Sequence, residues 1–159
     1  MNRVKIREHE LADLDAYADW QNDPEVARYI AWLPKTYAQS RDCLSDAIAQ
    51  QTLVPHILHF FAVVLADTEE IIGDVGITIT GPGQGDCGWF LQRQYWGHGY
   101  ATEGAQLLIE YAFQTLGLER ITVSCAIGNL ASEGIMLKCG FTCIERSEGR
   151  VKYEIKRTD

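Results

Sequence analysis

One stretch of sequence combines two glycines with the predicted start of a helix: Gln94-Tyr95-Trp96-Gly97-His98-Gly99-Tyr100-Ala101-Thr102-Glu103. Its two glycines let the backbone turn tightly and approach a ligand closely, because they have no Cβ atom. A helix is predicted directly after them, and the free N–H groups and positive dipole end of a helix attract an anion. A pyrophosphate group is the expected ligand, although a tight turn between a strand and a helix would need the same glycines for structural reasons alone.

The surroundings of this stretch argue against two common nucleotide ligands. It lacks the Gly-Lys-Ser/Thr ending of an ATP-binding loop, and it lies in the middle of the chain, whereas the fingerprint of an NAD-binding fold follows a first strand. ATP and NAD are therefore disfavoured.

The hydrophobic pattern predicts one α/β (α+β) domain over residues 1–159. Apolar residues recur at helical spacing in four segments, of which the one ending at Gly117 is the most regular, and strands are indicated by alternating or short apolar runs. The predicted helices cover 11–20, 37–50, 101–116 and 129–139, and the located strands lie around 4–6, 57–65, 71–80, 87–91, 121–125 and 151–155. The order β-α-α-β-β-β-α-β-α-β-β predicts a mixed sheet of about seven strands with four helices on its faces.

Composition and charge exclude several classes of protein. A chain of 159 residues fits one domain, and it contains no long uncharged apolar run and no signal peptide, so we expect a cytoplasmic protein without a membrane partner. The net charge of -8 opposes binding to nucleic acid and favours a cationic substrate. The five cysteines and four histidines do not have the spacing of a zinc site, so no metal is expected.

Three blocks resemble the GCN5-related N-acetyltransferase (GNAT) superfamily, and specifically its branch of RimJ/RimL-type ribosomal-protein acetyltransferases. Gln94-x-x-Gly97-x-Gly99 is similar to the loop that binds the pyrophosphate of acyl-CoA in that family. Asp86-Cys87-Gly88-Trp89-Phe90-Leu91 corresponds to the fourth strand, and Asn129 through Phe141 resembles a later motif that ends in Gly-Phe. A smaller similarity, Asp23-Pro24-Glu25-Val26, lies between the first two helices.

The resemblance implies a sheet that is splayed between its fourth and fifth strands, with acetyl-CoA wedged into the opening. The backbone of Trp89, Phe90 and Leu91 would pair with the pantetheine arm. Asn129 would contact the cofactor near its thiol, although an N-cap of the following helix is an equally natural role. The pyrophosphate loop would use Gln94, Gly97, His98, Gly99, Tyr100, Ala101 and Thr102.

Transfer to an amine requires a proton acceptor, and the resemblance gives Asp86 as the first candidate. Glu103 is a competitor, although a carboxylate in the first turn of a helix also interacts favourably with the dipole. Many relatives have a tyrosine acid where this chain has Met136. Ser132, also expected beside the cofactor, is the remaining candidate donor to the thiolate.

The acceptor pocket is expected to come from the two early helices and their connection, with Trp20, Tyr29 and Trp32 as binding residues, although aromatic residues at such spacing are also typical of a core. The predicted function is an acyl-CoA-dependent N-acetyltransferase that moves an acetyl group to a protein N-terminus or a small amine. The alternative is an acyl-CoA-binding or sensing module with little turnover. Either a monomer or a homodimer is compatible with the sequence.

Overall fold

The computed structural model describes residues 2–158 as one mixed sheet with helices on both faces. Within that range, no helix is both long and apolar enough to cross a membrane. The strands are Val4–Glu8 (β1), Leu58–Leu65 (β2), Ile71–Gly81 (β3), Gln84–Leu91 (β4), Arg120–Ala126 (β5), Thr142–Arg146 (β6) and Arg150–Lys156 (β7). The α-helices are Leu14–Gln21 (α1), Pro24–Ala27 (α2), Tyr37–Gln50 (α3), Tyr100–Gln114 (α4) and Leu130–Lys138 (α5).

The sheet opens between β4 and β5. The strand order is β1-β2-β3-β4-β5-β7-β6, and β4 with β5 is the parallel pair among otherwise antiparallel neighbours. These two strands pair only from Gln84 with Arg120 to Asp86 with Thr122. Beyond that point both strands continue without pairing to each other, which leaves a wedge between residues 87–91 and 123–126. The predicted splay between the fourth and fifth strands is confirmed.

Alternation along β4 sends its side chains to two different cores, as the period of two in a strand requires. Cys87 and Leu91 pack with Leu108 of α4 on one side of the sheet, which we call the back face. Phe90 packs on the opposite side with the cluster around Trp20, where α1 and α3 lie. We call that side the front face, and Asp86 and Gly88 belong to it by the same alternation.

The predicted order of elements is confirmed, and the structure adds one helical turn to it. Asp23 accepts a hydrogen bond from the backbone N–H of Glu25 at 2.9 Å, and Pro24 stands at the first helical position. Both residues favour the start of a helix. Asp23 and Pro24, which follow the end of α1, therefore also begin α2. The described chain consequently has five α-helices where the sequence predicts four.

Candidate active site

The loop between β4 and α4 forms an anion site. Gly97 and Gly99 have φ values of +80° and +81°, in the left-handed region that glycine tolerates best. Gly99 is the N-cap of α4, and no side chain caps the helix there. The first N–H groups of a 15-residue helix therefore remain available to a ligand, and the dipole favours a negative one.

Arg3 holds this loop in place from the side of β1. Its guanidinium donates to the carbonyl oxygen of His98 at 2.8 Å and lies 4.7 Å from the centre of the Tyr100 ring. It also pairs with the carboxylate of Glu103, which accepts from the backbone N–H of Arg3 at 3.0 Å as well. Glu103 is thus engaged in fixing the loop, which favours its structural role over that of a base.

The β4 edge that faces the wedge is open to an added strand. From Cys87 to Leu91 it has no partner on the β5 side, so its free backbone groups can pair with an extended ligand. The carbonyl of Leu91 is an exception, because it accepts a hydrogen bond from the indole Nε1 of Trp96 at 2.9 Å. The Trp89 ring packs edge-on against Phe141, with centroids 6.4 Å apart.

Asp86 lies where the wedge begins. It is the last β4 residue paired with β5, its side chain is exposed, and its Oδ1 accepts a hydrogen bond from the Thr122 hydroxyl at 2.6 Å. Gly88 follows on the same face, and a Cβ atom built there has no neighbour within 4 Å. The carboxylate therefore borders an open space beside the unpaired edge of β4.

Helix α5 begins on the other side of the wedge. The Asn129 Oδ1 accepts from the backbone N–H of Ser132 at 3.2 Å, so Asn129 is the N-cap and its amide nitrogen stays available. Ser132 is partly exposed in the first turn. Met136 is fully buried in the back-face core, so this position supplies no acid to a departing thiolate.

Two of the three aromatic residues predicted to bind the acceptor lie at the front of the wedge. Trp32 is 55% exposed and packs edge-on against Phe90 at 5.6 Å between centroids. The Tyr29 ring lies 3.9 Å from an ideal Cβ position at Gly128, in the turn after β5. The segment 29–32 therefore spans the opening from one strand to the other.

Trp20 requires a correction. It is 1% exposed and belongs to the front-face core with Tyr17 and Leu44. The helical spacing that drew attention to it places it inward, so it supports the fold and does not reach an acceptor.

A buried polar cluster beneath Trp20 is absent from the sequence prediction. The imidazole of His9 lies 3.3 Å from Asp13 and 4.0 Å from Asp74, and it stacks on Phe60. Burial lowers the pKa of His9 to about 4 and raises the pKa of Asp74 well above its ordinary value. Both shifts favour the neutral form of the side chain, because burial penalises the charged form.

The wedge and the anion loop together define a protein that binds an acyl-CoA. Comparisons with known proteins agree with this class. The chain matches the acetyltransferase (GNAT) domain family over residues 3–142. It is 30% identical over 142 residues to an uncharacterised N-acetyltransferase, p20, of Bacillus licheniformis, an alignment that covers 87% of this chain and 79% of the relative.

Solved structures share the fold over almost the whole chain. A GNAT-family acetyltransferase from Bacillus anthracis superposes with a TM-score of 0.86 at 23% identity, covering 98% of this chain and 95% of the other. RimL, a ribosomal L7/L12 alpha-N-protein acetyltransferase in complex with coenzyme A, superposes at 0.84 with 14% identity and coverage of 98% and 95%. The chain belongs to the GNAT family and is an acetyl-CoA-dependent N-acetyltransferase.

Proposed function

We propose that the protein transfers the acetyl group of acetyl-CoA directly to a primary amine, of a protein N-terminus or a small molecule, within a ternary complex. One observation carries the proposal: the pairing of β4 with β5 stops at Asp86 and Thr122, and the unpaired β4 edge leads straight to the uncapped N-terminus of α4. An extended arm with a pyrophosphate at its end matches that arrangement in shape and charge.

The residues around the wedge fit acetyl-CoA. The loop that contains Gln94, Gly97, His98, Gly99, Tyr100, Ala101 and Thr102 presents N–H groups to the pyrophosphate. The edge of β4 at Trp89 and Phe90 pairs with the pantetheine arm, and the free amide nitrogen of Asn129 faces the thiol end. Bound there, acetyl-CoA supplies an activated acetyl thioester.

Asp86 is the proposed proton acceptor. An ammonium group with a pKa of about 8 to 10 must lose a proton before its nitrogen can attack. The ammonium proton passes to the Asp86 carboxylate. The neutral amine then forms the new C–N bond as the C–S bond breaks, and the proton that the nitrogen loses in this step passes to the departing thiolate, which leaves as the thiol. Thr122 positions this carboxylate through its hydrogen bond, which leaves the second carboxylate oxygen for the amine.

The leaving thiolate needs little assistance. A thiol with a pKa of about 8.5 leaves readily, so the buried Met136 in the tyrosine position does not prevent transfer. Ser132, in the first turn of α5, is the proposed donor to the thiolate, directly or through water.

The test is Asp86→Asn, with Asp46→Asn on the exposed surface of α3 as the matched control. General-base catalysis contributes about 100- to 10,000-fold, so Asp86→Asn lowers kcat at pH 7 by that factor while acetyl-CoA still binds. The loss shrinks as pH rises toward the pKa of the amine, because solution then supplies neutral amine. Full activity of Asp86→Asn at pH 7 contradicts the assignment, and loss in Glu103→Gln alone transfers it to Glu103.

A second candidate function is an acyl-CoA-binding module with little turnover, which the missing tyrosine favours. The two are separated by incubation with acetyl-CoA and a broad panel of amines and peptides. Acetylated products detected by mass spectrometry support the transferase, whereas tight binding of acetyl-CoA without product supports the module.

A further inference from the structure

Some positively charged side chains have no carboxylate partner, although the protein has a net charge of -8. Of the 14 lysines and arginines, five have no carboxylate oxygen within 4.0 Å among residues 2–158. They are Arg28, Lys35, Lys138, Arg150 and Lys152. Cations without a carboxylate partner are the ones whose charge is available to a ligand.

Two of these cations lie on the β5–β7 side of the wedge, on the front face. The guanidinium of Arg150 donates to the hydroxyl of Ser124 at 3.1 Å. Lys152 is in register with Ser124 across the β5–β7 ladder, and paired residues place their side chains on the same face. Ser124 follows Thr122 on the front face of β5, just past the point where the two strands separate.

Two further cations lie close to the segment 29–32 that spans the opening, one before it and one after it. Arg28 stacks on Tyr29 at 5.4 Å from the ring centre, and Lys35 lies 5.1 Å from the centre of Trp32. Lys138, at the end of α5, is the one unpaired cation placed elsewhere.

Negative charge at the front of the wedge is arranged differently. Glu154, the next carboxylate along the sheet from Asp86, pairs with Arg120, whose hydrogen bond lowers its pKa. Among residues 2–158, the hydrogen-bond partner of the Asp86 carboxylate is the neutral Thr122 hydroxyl. The acidic excess includes the outer surface of α1, where Asp15 and Asp19 line a shallow cavity with Tyr37. Glu145 of β6 is in register with Lys152 on the same face, but its carboxylate is not within 4.0 Å of the Lys152 amine. The opening thus has Asp86 on its β4 side, and Arg150 and Lys152 on its β5–β7 side.

We infer that the acceptor is a primary amine that carries a carboxylate or phosphate group close to its amino group. The inference rests on the proposed function, with the amine at Asp86 and the anion at Arg150, Ser124 and Lys152. Thr122, which contacts Asp86, and Ser124, which contacts Arg150, are two residues apart on β5, a separation of about 7 Å. This separation suits a small zwitterion whose amine lies at Asp86 and whose anionic group lies at Arg150 and Lys152. The net charge favours a cationic acceptor, but the charges that face the wedge select an anionic group.

The test compares matched acceptors under one set of conditions, with rates expressed per concentration of unprotonated amine. The pairs are glycine with glycinamide and phosphoethanolamine with ethanolamine, and spermidine represents a purely cationic amine. Charge-assisted contacts change affinity by about 10- to 100-fold, so kcat/KM for each anionic member exceeds that of its neutral partner by that factor. Preference for glycine identifies a carboxylate acceptor, and preference for phosphoethanolamine identifies a phosphate acceptor.

Substitutions test which residues cause the preference for anionic acceptors. In Arg150→Gln and Lys152→Gln the ratio between anionic and neutral acceptors falls toward one, whereas Lys138→Gln, with the same loss of charge, retains the wild-type ratio. Preference for ethanolamine, glycinamide or spermidine overturns this inference and leaves the proposed function standing. A weaker Kd for acetyl-CoA in Arg150→Gln also overturns it, because Arg150 then serves the cofactor. Acetylation of no amine overturns the proposed function itself.

Discussion

Replacing Gly97 with alanine tests whether the loop before α4 binds the pyrophosphate. Gly97 has φ +80°, and a Cβ atom built there meets nothing within 4 Å. The new methyl group therefore fits the free protein but projects into the space expected for the ligand. Gly117→Ala is the matched control, since Gly117 has φ +67°, is equally unobstructed and lies beyond the other end of α4.

The structure sets the size of both effects. A left-handed conformation costs a residue with a side chain about 1 to 2 kcal/mol, which lowers Tm by about 2 to 8 °C in either variant. Acetyl-CoA at 100 times its Kd stabilises the wild type by about 2.7 kcal/mol, or about 5 to 11 °C. Gly117→Ala retains that ligand-induced shift, whereas Gly97→Ala loses about half of it or more, because a tenfold higher Kd leaves about 1.4 kcal/mol of ligand stabilisation.

The assay is thermal unfolding with and without acetyl-CoA, supported by calorimetric titration. We expect the Kd of Gly97→Ala to rise by about tenfold or more, since loss of one charge-assisted contact has that effect. Equal affinities of the two variants for acetyl-CoA would show that the loop is a structural turn alone and does not bind the pyrophosphate. An equal shift with ATP in the wild type would show that pantetheine contributes nothing.

Glu103→Gln removes the partner of Arg3 and raises the Kd of acetyl-CoA by up to about fivefold, as expected for a partly exposed ion pair, while the pH profile of kcat is retained. Loss of the rise in kcat on the acidic side of the profile would contradict this, because that rise reports the general base. Trp20→Phe lowers the free energy of unfolding by about 1 to 3 kcal/mol in urea titrations, with KM for the amine unchanged. The pKa of His9 is about 4 when folded and 6.5 when unfolded, so the unfolded chain binds more protons between these values. The stability that His9 contributes is present above pH 6.5 and falls by about 3 kcal/mol toward pH 4, a difference that His9→Phe removes in unfolding curves.

The order of strands and helices follows from local pattern, because each element has a clear hydrophobic period. Helix α4 shows this best, since its apolar residues recur on one face and pack into the back-face core. Strand β6 is different: all five of its residues are exposed, so no alternation of burial locates it in the sequence.

Only part of the candidate site can be predicted from the local sequence pattern. Glycine spacing and helix start indicate the anion loop, but its support by Arg3 joins residues almost a hundred positions apart and has no local signal. Thr122 and Ser124 alternate with buried Ile121, Val123 and Cys125, which indicates a polar face of β5 without indicating its neighbours. Trp20 shows the opposite difficulty, because periodicity cannot distinguish a core aromatic from one that lines a pocket.

Direct transfer from acetyl-CoA to an amine at the wedge is tested by rapid mixing. The protein is mixed with acetyl-CoA, with and without an accepted amine, while free thiol and acetylated product are both quantified. Direct transfer predicts no thiol release without the amine and one thiol per acetylated amine when it is present. One equivalent of thiol released in the absence of any amine, or thiol release without acetylated product, would contradict it.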